Sequence, residues 1–485
     1  MNRLPREIIS SILAYRDADK SGCLDAAQHC YVSSGQSGLT PYVTISRQWQ
    51  YEVERINLRH IEFKSTELPV FANLFRPSQS HRTALLKTLS FDIVLPTYSE
   101  AACGEYETGS EKETNSQVFS EAIFELFKIL KSLDGGEFVL YLDSYSPMNS
   151  HKRPEPRRKR DRLLKDIRQK RYQASFLQLK APEQLPVLSN VSEFHDPRSC
   201  PSRNIEPASD IAIVSRMENL KKCDLHFSDR DDKIDLGLRK INRNNLAQVL
   251  SAYTQTVKEV TFEFNSGDPD DEGSSPPLLS PSSVDSLNLA LHKFIGQANV
   301  ERMLIIHHIV SPDLFWPSHS TTAWQCLRQI RVLMLASTVD GGWYFKADPS
   351  IASYAQFTDR SLNPDYSDPY DSDEDTDTNR FRSLPDPERI NQLLIAMARA
   401  AHHAPVLETM ELSIREGRLY PKYREDEDVS RIFGICYYAQ GAREKFKTTE
   451  HKARLICRVG DRSLDGEVER HWRNVLSPDG VIIYN

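Results

Sequence analysis

The 485-residue chain lacks four common short motifs that announce catalysis. It has no G-x-x-x-x-G-K-[ST] loop to cradle phosphates, no G-x-G-x-x-G turn, no G-x-S-x-G nucleophile elbow and no H-E-x-x-H zinc helix. Its eight cysteines (Cys23, Cys30, Cys103, Cys200, Cys223, Cys326, Cys436 and Cys457) form no C-x-x-C pair, so they read as reduced thiols rather than a disulfide framework or zinc knuckle. Arg3, Arg6 and Glu7 interrupt the only N-terminal apolar stretch, and no later run has the length of a membrane span; a soluble, unsecreted, intracellular protein is expected. Nor is there an excess of positive charge. The 61 Lys and Arg against 68 Asp and Glu give a net charge of −7, which argues against a generally nucleic-acid-binding surface and for protein partners. No cofactor, metal or enzymatic activity is expected.

What is present is enough apolar material, 39% of a 55.5 kDa chain, for a large core, in two or three domains or one repeat array. Past residue 60 a helical stretch leads repeatedly into a short strand patterned apolar-x-x-apolar-x-apolar. The strands are Leu86-x-x-Leu89-x-Phe91, Leu220-x-x-Cys223-x-Leu225-x-Phe227, Val257-x-x-Val260-x-Phe262-x-Phe264 and Leu407-x-x-Met410-x-Leu412-x-Ile414. Val300-x-x-Met303, Leu327-x-x-Ile330-x-Val332 and Phe138 to Leu142 are weaker examples. Helices are predicted at Ser116 to Leu133, Asp210 to Met217, Asn244 to Thr254, Ser286 to Ile295, Pro387 to His402 and Glu467 to Val475. The core is therefore α/β.

Three stretches interrupt the rhythm and are expected as mobile insertions: 151–171, strongly basic; 265–286, rich in Asp, Ser and Pro; and 363–380, with its acidic run Asp371 to Asp377. Lys152 to Arg160 suits a nuclear-import receptor's acidic groove or a phosphate backbone, while Leu163, Leu164 and Ile167 beyond it suit a charged surface helix. Asp17 to Asp25 spaces oxygen ligands like a calcium loop, but the twelfth position is Gln28 where a bidentate Glu is needed, so a solvated turn is the expectation. His307-His308 and His402-His403 are adjacent pairs whose members point apart and suit structural roles. Asp340-Gly341-Gly342 reads as a tight turn into an aromatic strand.

The most informative segment is the first. Pro5 suits the opening turn of a helix, and Ile8, Ile9, Ile12 and Leu13 recur on one face while Arg6, Glu7, Ser10 and Ser11 keep the other wet. A second helix is expected from Thr40 as N-cap and Pro41, with Tyr42, Ile45, Trp49 and Val53 along one side. Leu4, Pro5, Glu7, Ile8, Ile12 and Leu13, with Ser46, Arg47 and Trp49, resemble the opening and close of an F-box. A polar insertion, Asp17 to Thr40, replaces the short middle of that pattern. The helix-then-strand units beyond resemble leucine-rich repeats, although their spacings of 37 residues from Leu220 to Val257 and 43 from Val257 to Val300 are long for that family.

The layout, similar to that of divergent fungal F-box-like proteins, implies an F-box-like helical segment at 1–60 and a leucine-rich-repeat-like α/β solenoid at 61–485. It implies a non-catalytic substrate-recognition subunit of a cullin-RING ubiquitin ligase. A Skp-type adaptor would dock on Leu4, Pro5, Ile8, Ile12, Leu13 and Trp49, and an unknown protein substrate on the repeats. The alternative from the residues alone is two amphipathic helices capping an ordinary α/β domain. An interaction scaffold without a ligase, or an enzyme with no recognisable motif, stays open beside it.

Overall fold

A computed structural model describes residues 5–18, 39–76, 80–133, 135–149, 157–196, 203–229, 235–266, 272–282, 284–317, 323–349, 382–415, 432–442, 452–459 and 463–484. Leu4, residues 19–38 with most of the candidate calcium loop, residues 151–156 of the basic stretch and the acidic insertion 363–380 lie outside the described residues. The chain is a mixed α/β protein with a large, mostly parallel sheet. It has two compact units, Met1–Cys223 and Asp224–Asn485.

The first unit contains α1 (Arg6–Ala18), a 3-10 turn (Thr40–Thr44), α2 (Arg47–Asn57), β1 (His60–Lys64), α3 (Leu68–Leu74), α4 (Ser80–Thr83) and β2 (Thr88–Val94). α5 (Gly109–Lys131), β3 (Phe138–Tyr145), α6 (Arg157–Asp166), β4 (Val191–His195) and α7 (Pro207–Val214) follow, and β5 (Lys222–Ser228) spans the boundary. β1 to β4 lie side by side in chain order, each parallel to the next. Their register aligns Ile61, Leu89, Leu140 and Phe194 in one row. Phe119, Ile123, Leu126, Phe127 and Leu130 of α5 are buried with the alternate, inward strand residues. Consecutive parallel strands demand such crossovers, because a tight turn can join only antiparallel neighbours.

α5 starts two turns earlier than the apolar periodicity implies. Thr108 accepts from the Glu111 N–H at 3.2 Å while the Glu111 carboxylate accepts from the Thr108 N–H at 2.8 Å, a reciprocal cap that carries the helix through its polar opening.

In the second unit α8 (Leu236–Ser251), β6 (Glu259–Asn265), α9 (Ser286–Gln297), β7 (Arg302–His308) and β8 (Gln329–Met334) precede a separate antiparallel pair, β9 (Phe345–Ala347) with β10 (Arg382–Pro385). α10 (Pro387–His402), β11 (Thr409–Arg415), β12 (Ile432–Tyr438), β13 (Arg454–Arg458), α11 (Gly466–Arg473) and β14 (Val481–Tyr484) complete it. β6, β7, β8 and β11 are parallel in chain order; β12 turns back against β11, β13 against β12, and β14 runs parallel to β13.

The repeated strand signature has a physical basis. Leu86, Leu220, Val257, Val300, Leu327 and Leu407 are all buried and stand two positions before their strands. Each anchors the chain's entry, after which alternate residues face the core.

Three expectations change. The second N-terminal helix is broken in two, because Ser46 takes an extended backbone (φ −166°) and caps α2 by accepting from the Trp49 N–H. Residues 157–171 are not a loop: α6 and a π-helical turn (Ile167–Arg171) bury Leu163 and Ile167. Part of 265–286 is also packed. Glu272 is buried and accepts from Arg382, while the Leu279 and Ser280 N–H groups donate to the Val339 carbonyl at 2.9 Å.

Candidate docking surface

At 13 residues α1 is too short to hold its apolar stripe in water alone. It divides that stripe. Ile9 and Leu13, one turn apart, are sealed with Leu39, Trp49 and Val53 into a small core, against which Tyr42 and Ile56 pack. Tyr42 stacks on Trp49 at 5.9 Å between ring centres. A polar clasp stitches the same seam: Ser10 Oγ donates to Glu52 Oε2 at 2.8 Å, Arg55 Nε donates to that oxygen at 2.8 Å, and Arg55 Nη2 donates to Ser10 Oγ at 3.1 Å. Glu52 is buried, so the clasp compensates a carboxylate that would otherwise oppose packing.

Beyond the seam, Ile8 is 46% exposed and Ile12 42% exposed. With exposed Pro5 they follow one another at helical spacing and form an apolar ridge on the outer side of α1. α2 is in turn tied to the rest of its unit through Glu54, which accepts from Arg82 at 2.7 Å, lies 3.2 Å from His81 Nε2 and accepts from Gln50 at 3.0 Å. Burial pushes the Glu54 carboxyl up, but these hydrogen bonds outweigh it and hold the group below its ordinary range.

Of the residues singled out by sequence, Pro5, Ile8 and Ile12 are thus presented outward, while Leu13 and Trp49 support them from the seam. Ile9, Val53 and the Ser10–Glu52–Arg55 clasp complete the seam without having been singled out as docking residues. No local signal marks the clasp, because its members are 42 and 45 residues apart.

Ionisable groups cluster elsewhere, in arrangements that clamp segments together. In the first unit Glu107, Arg203, Ser175 and Asn115 form one buried network. In the second, Asp229 joins Arg239 and Arg243, Arg243 reaches Asp285, and Asp285 caps α9 while holding Asn288. His308, fully buried, lies 3.2 Å from Asn288 Oδ1; its neighbour His307 has φ +55° at a bulge between β7 and β8. His403 stacks on Trp316 at 4.3 Å. Among the described residues no three His, Cys, Asp or Glu side chains converge as a metal ion requires. One hollow of about 330 Å³ lies against α5, lined by Glu121, Phe124, Glu125, Lys128 and Gln184. No helix among the described residues is long and apolar enough to cross a membrane.

Comparison with protein-family models finds no match, and comparison with curated proteins finds none either.

Proposed function

We propose that the chain is the substrate-recognition subunit of a cullin-type ubiquitin ligase, docking a Skp-type adaptor through the outer ridge of α1. The observation that carries this reading is the division of the α1 stripe. Half of it builds the helix pair, and the other half stands outward as Pro5, Ile8 and Ile12 on a helix held rigid from behind. Such a face fits the helix-in-groove mode of recognition, in which apolar anchors spaced by one turn enter a partner's groove. Leucine-rich-repeat-like architecture is supported by the chain-order parallel strands within each unit, of which β2, β5, β6, β7, β8 and β11 are entered by a buried aliphatic residue. In this reading the outward residues of those strands meet the protein substrate, in the cytoplasm or nucleus. The subunit performs no bond chemistry of its own; holding a substrate lysine near the ligase raises its effective concentration.

Co-expression of the tagged full chain with adaptor and cullin tests the reading. Both partners should co-purify with the wild type and be lost with Ile8→Asp/Ile12→Asp. Absence of both from the wild-type preparation favours the scaffold reading instead.

A further inference from the structure

Between Arg157 and Arg171, α6 and its π-helical continuation hold nine Lys or Arg and two Asp, in a chain of net charge −7. The segment is clamped to its unit. Leu163 and Ile167, one turn apart, are buried with Cys103 and Tyr172, and Tyr98 and Met148 pack against them. At its end Arg171 is buried, donating to Glu111 at 2.7 Å with its guanidinium 3.8 Å from the centre of the Tyr98 ring.

These contacts fix which side of the helix faces inward, and so place positions 158, 162 and 165 on the side away from Leu163 and Ile167. Those positions are Arg158, Arg162 and Lys165, with Arg157 and Arg168 flanking them and Asp161 as the one acidic position on that side; Arg162 is exposed. Like charges one turn apart, as at positions 158 and 162, disfavour a helix in isolation; Asp161 and Asp166 at one-turn spacing offset part of that repulsion, and the buried anchors sustain the rest.

We propose that this face binds the phosphate backbone of a nucleic-acid duplex without reading its bases. Side chains three and four positions apart on a helix have Cβ atoms roughly 5–6 Å apart, so neighbouring cations can meet successive phosphates of one strand. No aromatic residue lies between positions 157 and 171, so the helix offers no platform for stacking unpaired bases. An import receptor's groove would require an extended run, whereas Arg157 to Arg160 are helical.

The test is fluorescence anisotropy of the full-length protein with labelled DNA and RNA duplexes of about 20 base pairs, compared between roughly 50 and 200 mM salt. Phosphatidylserine vesicles and an import receptor form separate arms. Duplex binding that weakens steeply with salt is expected; Arg162→Glu/Lys165→Glu should lower affinity at low salt at least about tenfold and reduce the salt slope by about two. The control reversal Lys128→Glu/Lys131→Glu, on α5, should leave affinity within about twofold, and the milder Arg162→Gln/Lys165→Gln pair reads the same site if charge reversal disturbs folding. A stronger response to DNA or to RNA identifies the source of the phosphates. No duplex binding at low salt, equal loss in the control, or binding confined to vesicles or the import receptor overturns the proposal.

Discussion

Glu107 and Arg203 meet in a bidentate pair at 2.7 and 2.8 Å, with both side chains essentially withdrawn from water. The Arg203 guanidinium also lies 3.9 Å from the centre of the Tyr172 ring and donates to Ser175 Oγ at 2.9 Å. Residues 96 apart in sequence are thereby locked together within the first unit. Removing one partner strands the other charge, so Arg203→Ala should destabilise this unit by about 3–5 kcal/mol, read as a fall in denaturation midpoint. A loss under about 1 kcal/mol would mean that water reaches the pair.

Acid should loosen the same region. Burial raises the Glu107 carboxyl, but the hydrogen bonds and charge of Arg203, with Ser175 and Asn115, more than offset it and hold the group low. Glu111 is held at about 2, chiefly by the Thr108 backbone N–H and then by Arg171 against the opposing effect of burial. A carboxylate depressed by folding contributes stability above its unfolded value and loses it as pH falls through the folded one. Glu111 therefore gives a window from 4.5 down to about 2, which Glu111→Gln should remove from the stability–pH curve.

Asp210 has the opposite sign. It is fully buried in α7, neither carboxyl oxygen has a hydrogen-bond partner, and burial, followed by the charges of Asp196 and Glu206, pushes its pKa well above 3.8. Stability from its neutral form is complete below 3.8 and declines as pH rises through the folded value. Asp210→Asn cannot ionise, so its midpoint should gain steadily on the wild type as pH rises above 3.8; parallel curves would show that Asp210 does not titrate differently on folding.

The sequence exposed the strand rhythm because each buried entry residue and its alternating successors repeat locally. Pro387 to His402 was legible end to end because Asp386 and Pro387 mark its start. β4 escaped because only Val191 and Phe194 are buried in its five residues, and β13 because four consecutive residues are buried and leave no alternation. At the docking surface, periodicity groups Ile8, Ile9, Ile12 and Leu13 as one stripe. Their division into seam and ridge depends on where α2 packs, which local spacing does not encode.

That division predicts unequal responses to truncation. Leu13→Ala should cost about 2–5 kcal/mol by opening a cavity among Trp49, Val53 and Ile9, whereas exposed Ile12→Ala should stay within about 0.5 kcal/mol. Chemical denaturation followed through tryptophan fluorescence reads both. Similar losses at the two positions would contradict the packing.

Titration calorimetry of the full chain with a purified Skp-type adaptor tests the outward ridge of α1 most directly. The wild type should bind, and Ile8→Asp/Ile12→Asp should abolish the heat of binding while leaving the denaturation midpoint unchanged. Undiminished binding by that variant, or none by the wild type, would contradict adaptor docking on α1.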